Sequence, residues 1–219
     1  MKTMIYGALL MLMCAQTLAG NTKENAETTA VAKTLAHSLT EISTLSGRFL
    51  QKIIDADGQT LQETEGKFKV LRPGYFLWHV DPPYEQLIIG TPETLKVYDP
   101  DLEQMTVHQQ NVFSGTPAAL ISGDVSSITQ QYSVTQQTKN KTQTFTLKQF
   151  ENTKSDFESL SFRFSLNTPK ASVLMGMNFT DRLGQRTEVS FRKLEQNETL
   201  AQRAFEFEPP ADTDIILDD

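Results

Sequence analysis

Between Gly66 and Val107 the chain reads GKFKVLRPGYFLWHVDPPYEQLIIGTPETLKVYDPDLEQMTV. Its two-residue alternation restricts the fold to one built on strands. Phe68 and Val70 fall on one parity, Lys67 and Lys69 on the other, as in a half-buried strand. Arg72 shares the parity of Phe68 and Val70. Pro73 keeps Arg72 out of the helical region, because a proline ring clashes with a helical residue before it. Extended geometry then carries the guanidinium toward the apolar face. Phe76, Trp78 and Val80 alternate with Tyr75, Leu77 and His79 in the next strand. A permanent charge among aromatics is costly unless it reaches water or a partner. Arg72 is therefore either an exposed arginine at a strand end or a latch that donates to the open carbonyls of a helix end.

Strands are expected at 45–55 and 61–71, joined by an Asp57-Gly58 hairpin turn, then at 75–80, 85–89, 94–98 and 104–109. Six successive strands with short connections make an antiparallel meander. Before them, Val31, Leu35, Leu39 and Ile42 recur at helical spacing and predict an amphipathic helix of about four turns. Asn25 or Thr28 is the expected cap, after a loose polar stretch at 21–29. Residues 116–123 carry a threonine cap, a proline at the first helical position and a glycine stop. So short a helix must be held by its apolar face, Ala119, Leu120 and Ile121. A further turn is expected to include Val125 and Ile128. Strands resume at 132–137, 142–150, 160–167, 174–180 and 187–194. A sheet of about ten strands curls or closes. The expected architecture is a mainly β, unclosed antiparallel barrel with a short-helix lid.

Residues 1–19 read as a cleaved secretory leader: Lys2, an apolar run through Cys14, and a small residue at Ala19. The run is too short for a permanent membrane span. Bulky Met11-Leu12-Met13 before Cys14 argue against lipidation there. Residues 20–219 then form one domain, without cysteine, exported to the periplasm and monomeric. The net charge is −7, and one unit more negative without Lys2. An acidic chain with no basic run argues against nucleic acid as a partner and against electrostatic adhesion to anionic lipid.

No nucleophile elbow, phosphate loop, zinc-protease helix or dinucleotide fingerprint occurs. His37 reads as a surface histidine. His79 and His108 are possible neighbours in the sheet, but two histidines make no metal site. Asp99-Pro100-Asp101 reads as a turn in which Asp99 bonds its own backbone. Neither a metal nor a cofactor is expected, and no enzymatic activity. What remains is an apolar interior. The candidate inward residues are Phe68, Phe76, Trp78, Leu87, Ile89, Val97, Met105, Leu120, Met175 and Met177. On their own they read either as core or as the lining of a lipid cavity, for which adaptable Met and Phe side chains are suited.

Arg-Pro-x-x-Phe-x-Trp at 72–78, Asp81-Pro82-Pro83, the string LKVYDPDLEQMTV at 95–107 and the ending at Phe205–Ile216 resemble the outer-membrane lipoprotein carrier family (LolA). The likeness spans the whole exported chain in element order. It departs after 87–90, where many members have an Asp-Gly turn, and at Lys96, where they have an aromatic. This chain has Thr91-Pro92-Glu93. The resemblance implies the same unclosed barrel, turns the inward residues into a cavity for acyl chains, and makes Arg72 the latch of the lid. It also implies partners: lipid-modified proteins as cargo, an ATP-driven inner-membrane exporter and an outer-membrane receptor. A related half-barrel carrier or sensor for glycolipid or another lipidated ligand is the alternative. A secreted hydrolase is disfavoured by the missing nucleophile.

Overall fold

The computed structural model describes residues 18–109, 117–123, 125–150, 157–166 and 172–218. The expected leader up to residue 17, the Thr116 cap and the strand end at Asn167 lie outside them. Helix α1 (Leu18–Thr40) leads into strands β1 (Thr44–Ile54), β2 (Thr60–Leu71), β3 (Tyr75–Val80), β4 (Gln86–Gly90), β5 (Thr94–Asp99) and β6 (Gln104–Gln109). Two short helices follow, α2 (Pro117–Ser122) and α3 (Ser126–Gln131). Then come β7 (Tyr132–Lys139), β8 (Thr142–Gln149), β9 (Phe157–Ser165), β10 (Val173–Asp181) and β11 (Arg186–Gln196). A 3-10 turn (Gln202–Phe205) and β12 (Asp214–Asp218) end the described chain.

Among the described residues, twelve strands form one sheet in the order β12-β6-β5-β4-β3-β2-β1-β11-β10-β9-β8-β7. Strands β12 and β7 are its two ends and do not pair with each other, so the barrel is unclosed as expected. Strands β1 to β6 form the expected meander. The central pair is β1 with β2, and β1 joins the two halves by pairing with β11.

Helix α1 is longer than the periodicity implies. It runs through the polar stretch expected to be loose, because Lys23, Glu24, Ala26 and Glu27 are all good helix formers. Ala32, Leu35 and Leu39 are buried along its inner stripe, and Ile42 is buried just past its end. Helix α1 packs on β7 and α3, and α2 lies against β2 and β3. These helices cover the concave face of the sheet. The core between them joins α1 and α3 to Phe49, Phe68, Val70, Trp78, Phe145, Phe162, Phe164 and Phe191 from both halves of the sheet.

Gly66 makes this packing possible. It lies opposite Phe49 in the β1–β2 register. A Cβ at Gly66 would meet Phe49 Cζ at 2.5 Å. Lacking one, the Phe49 ring lies over the strand and stacks on Trp78, with ring centroids 3.6 Å apart.

The chain end is a strand that the sequence does not announce. After β11 the chain crosses the outer face of the sheet, where Phe205 packs with Leu77 and Ile89 in a second, smaller core. Tyr75 meets Phe205, and Tyr98 meets Phe207, in tilted ring contacts. The chain then adds β12 in parallel to β6, pairing Ile215 with Met105 and Leu217 with Val107.

Candidate functional site

Cross-strand partners share a face, so the register assigns every side chain. One row runs Phe68, Trp78, Ile88, Val97, Thr106 across β2 to β6. The next runs Val70, Phe76, Gly90, Leu95, His108. Both rows lie on the concave side, since Phe68, Trp78, Val70 and Phe76 belong to the main core and Ile88 and Leu95 pack against it. Phe68, Phe76 and Trp78 are therefore on the inner face, and Val97 is half-buried on the same face. Leu120 of α2 is buried against that face too. On the other half, Met177 is buried in the same core.

Leu87, Ile89 and Met105 are on the opposite, outer face, contrary to expectation. Leu87 pairs with His79 and Tyr98, Ile89 with Leu77 and Lys96, and Met105 with Tyr98. Their apolar character serves the second core under Phe205 and the β12 pairing, and they line no inner cavity. Ile88 and Leu95 stand in their place. Both faces of β3 and β4 are apolar, so alternation alone gives no parity there.

Met175 is also displaced from the face expected. The β10–β9 register shifts between Leu174 and Gly176, which makes Met175 the extra residue of a bulge. It is 40% exposed, and Leu174 is buried in its stead. His79 and His108 are not neighbours. His79 is on the outer face with Glu85, Nε2 to Oε1 3.0 Å. His108 is on the inner-face parity, beside Asp218 of β12. Among the described residues no three His, Cys, Asp or Glu side chains gather as metal ligands. Asp99 Oδ1 accepts from the backbone N–H groups of Asp101 and Leu102, which makes the turn expected there.

Arg72 is where the site closes. Its Nη1 donates to the carbonyl of Gly123 at 2.7 Å and its Nη2 to that of Leu120 at 3.0 Å. Both acceptors belong to the C-terminal end of α2, where carbonyls lack partners within the helix. The planar fork of the guanidinium suits two divergent acceptors. A second arm is invisible in the sequence. Gly74 N–H donates to Ser122 O at 2.6 Å, from a backbone φ of +84° that a side chain would oppose. The turn at residues 72–74 thus holds three α2-end carbonyls, those of Leu120, Ser122 and Gly123. Pro92 lies beside Gly74, and a Cβ there would meet Pro92 Cγ at 3.4 Å. The departure from the family pattern at Thr91-Pro92-Glu93 forms a sound turn. Thr91 Oγ1 accepts from Glu93 N and Thr94 N, and Thr91 N donates to Thr94 O.

The geometry is a broad apolar sheet face, an aromatic centre at Phe49 and Trp78, and a short helix held over it by a few hydrogen bonds at one end. Such a site takes an apolar ligand by burial and opens by breaking polar contacts at its edge.

Comparisons with known proteins agree with this geometry. The family model described as outer membrane lipoprotein carrier protein LolA matches residues 40–208. An outer-membrane lipoprotein carrier protein of Pseudomonas entomophila is 36% identical over 211 residues, covering 95% of this chain and 98% of that protein. One of Pseudomonas putida is 37% identical over 184 residues, covering 83% and 84%. Among solved structures, an uncharacterized conserved protein from Thermus thermophilus aligns with TM-score 0.52 at 10% identity, covering 90% of this chain and 99% of that one. That likeness concerns the fold.

Proposed function

The chain belongs to the outer-membrane lipoprotein carrier family, LolA, and from that premise we propose that it is a periplasmic chaperone for lipid-modified proteins. It receives them from an ATP-driven inner-membrane exporter, shields their acyl chains on the concave face, and hands them to an outer-membrane receptor. The exported form is a single domain starting near Gly20, freed of its leader, and works as a monomer. The carrier step breaks and forms no covalent bond and draws on no cofactor.

The observation that carries this reading is the Arg72 fork on the Leu120 and Gly123 carbonyls, closing α2 over an apolar face. Charge-assisted bonds of this kind contribute about 1.5–3 kcal/mol each. Burial of an acyl chain contributes about 0.8 kcal/mol per methylene. A chain therefore has more than enough driving force to displace the latch. The latch still favours the empty closed state, so apparent affinity is lowered by the small open fraction. That reduction is what lets a receptor with a readier site take the cargo. The cavity lining proposed is Phe68, Phe76, Trp78, Ile88, Leu95, Val97, Leu120 and Met177.

The test is isolation of the protein from periplasm without detergent, followed by mass spectrometry of what it holds. Acylated proteins in equimolar complex are the expected finding. Free glycolipid in their place would assign it to a different carrier on the same half-barrel.

A further inference from the structure

The concave face is not apolar from end to end. The latch sits beyond one end of β2, at Arg72. At the other end a cleft of about 570 Å³ opens between the ends of β1 and β2 and the turns that follow β3 and β5. Thr64 and Arg72 are eight residues apart on one extended segment, about 26 Å at 3.3 Å per residue. Val80, part of the main core, lines the inner side of the cleft, so the cleft continues the apolar face. The rest of its lining is mixed: Ile53, Tyr84 and Leu102 continue the apolar surface, while Gln51, Gln62, Thr64 and Gln86 present amides and a hydroxyl. Thr64 is only 7% exposed, and its Oγ1 has no hydrogen-bond partner among the described residues. A buried hydroxyl without a partner is costly unless a ligand supplies one. Asp99 and Asp101 add acidic side chains, Glu85 lines the rim with its carboxylate on His79 at the outer face, and among the described residues no Lys or Arg lines the cleft.

We propose that this cleft holds the polar head of the cargo, the first peptide units after the acylated cysteine. The inference rests on the carrier reading and adds a direction to it. Acyl chains run from the cleft past Val80 and Trp78 toward the lid, and the polypeptide leaves at the end opposite Arg72. Peptide groups need donors and acceptors of the kind that amides and a hydroxyl provide. The acidic side chains repel the phosphate of an anionic phospholipid, so the cleft favours acylated protein over membrane lipid by like-charge exclusion.

The experiment uses the full exported chain and three probes: a synthetic triacylated cysteinyl peptide with a neutral serine-rich tail, and diacylglycerol and phosphatidylglycerol with the same two ester-linked chains. In the double variant Thr64→Val, Gln86→Leu, affinity for the lipopeptide is expected to fall about tenfold, the equivalent of one or two neutral hydrogen bonds. Diacylglycerol affinity is expected to stay within about twofold. A lipopeptide with a photoreactive second residue is expected to label the 62–64 and 84–86 segments of the unaltered protein, which keeps the test independent of how the variant folds. Equal loss for lipopeptide and diacylglycerol, unchanged lipopeptide affinity, or labelling at the lid end would overturn the proposed direction while leaving the carrier reading intact. If the unaltered protein binds neither lipopeptide nor diacylglycerol, the carrier reading itself fails, and the inference with it. Tighter binding of phosphatidylglycerol than of lipopeptide would overturn the proposed selectivity.

Discussion

Arg72 is the side chain on which the proposed latch rests. Its two donors reach carbonyls that α2 cannot satisfy internally, beside the Gly74 N–H bond to Ser122 O and the buried Leu120 and Ile121. Replacing Arg72 by Leu removes the fork and adds apolar surface. Cargo is expected to load at least as well, and handover to the receptor to slow by an order of magnitude or more, because the empty closed state has lost its stabilisation. Arg72→Lys is expected to fall between, since an ammonium keeps the charge but cannot span two carbonyls. Transfer of a fluorescent lipoprotein from purified carrier to receptor measures both, and a Leu variant that releases as readily as the parent would remove the latch from the mechanism. Gly66 sets a different limit. In Gly66→Ala the added carbon collides with the Phe49 ring and the His79 carbonyl, and forced overpacking of this kind costs about 1–3 kcal/mol. Urea unfolding followed by the fluorescence of Trp78, the only tryptophan, reads that loss directly.

At the scale of elements, the segment after β11 acts as an outer strap. Phe205 is 3% exposed against Leu77 and Ile89. Phe205→Ala is expected to destabilise the protein by about 3–5 kcal/mol, seen as a lowered Tm, while leaving the inner face and its ligands in place. The strap also accounts for what the sequence reveals and what it hides. The meander of β1 to β6, the α2 helix and the orientation of Arg72 are legible, because alternation, proline and glycine signals are local. The sides of Leu87, Ile89 and Met105 are not. Their strands are apolar on both faces, one for the core and one for the strap, and only the long-range pairing decides between them. Met175 defeats parity because a bulge breaks the two-residue period, and its one local sign is Gly176 inside the strand. Strand β12 is hidden for a related reason. Ile215, Ile216 and Leu217 are all substantially exposed, so no alternation marks them, and their order comes from parallel pairing with β6.

In the molecule as a whole, a single sheet separates two apolar jobs. The outer face between β3 and β5 is covered by the strap, and the inner face is covered by the helices, the cover that the proposed function requires to open. Val97 is half-buried on the inner face, near enough to solvent for a charge to be tolerated. Val97→Glu is expected to keep a native circular dichroism spectrum and to lose most of its capacity to hold acylated protein in solution, since a carboxylate on the acyl path must be desolvated with the cargo. Normal loading in a natively folded variant would take Val97 off that path. The division of faces is tested most directly at two consecutive residues. Ile88 packs toward the main core and Leu87 toward the strap. With a benzophenone side chain placed singly at each position, irradiation of the loaded carrier should cross-link acylated cargo at position 88 and leave position 87 unlinked. Cross-linking at 87 equal to or stronger than at 88 would contradict an acyl-binding concave face.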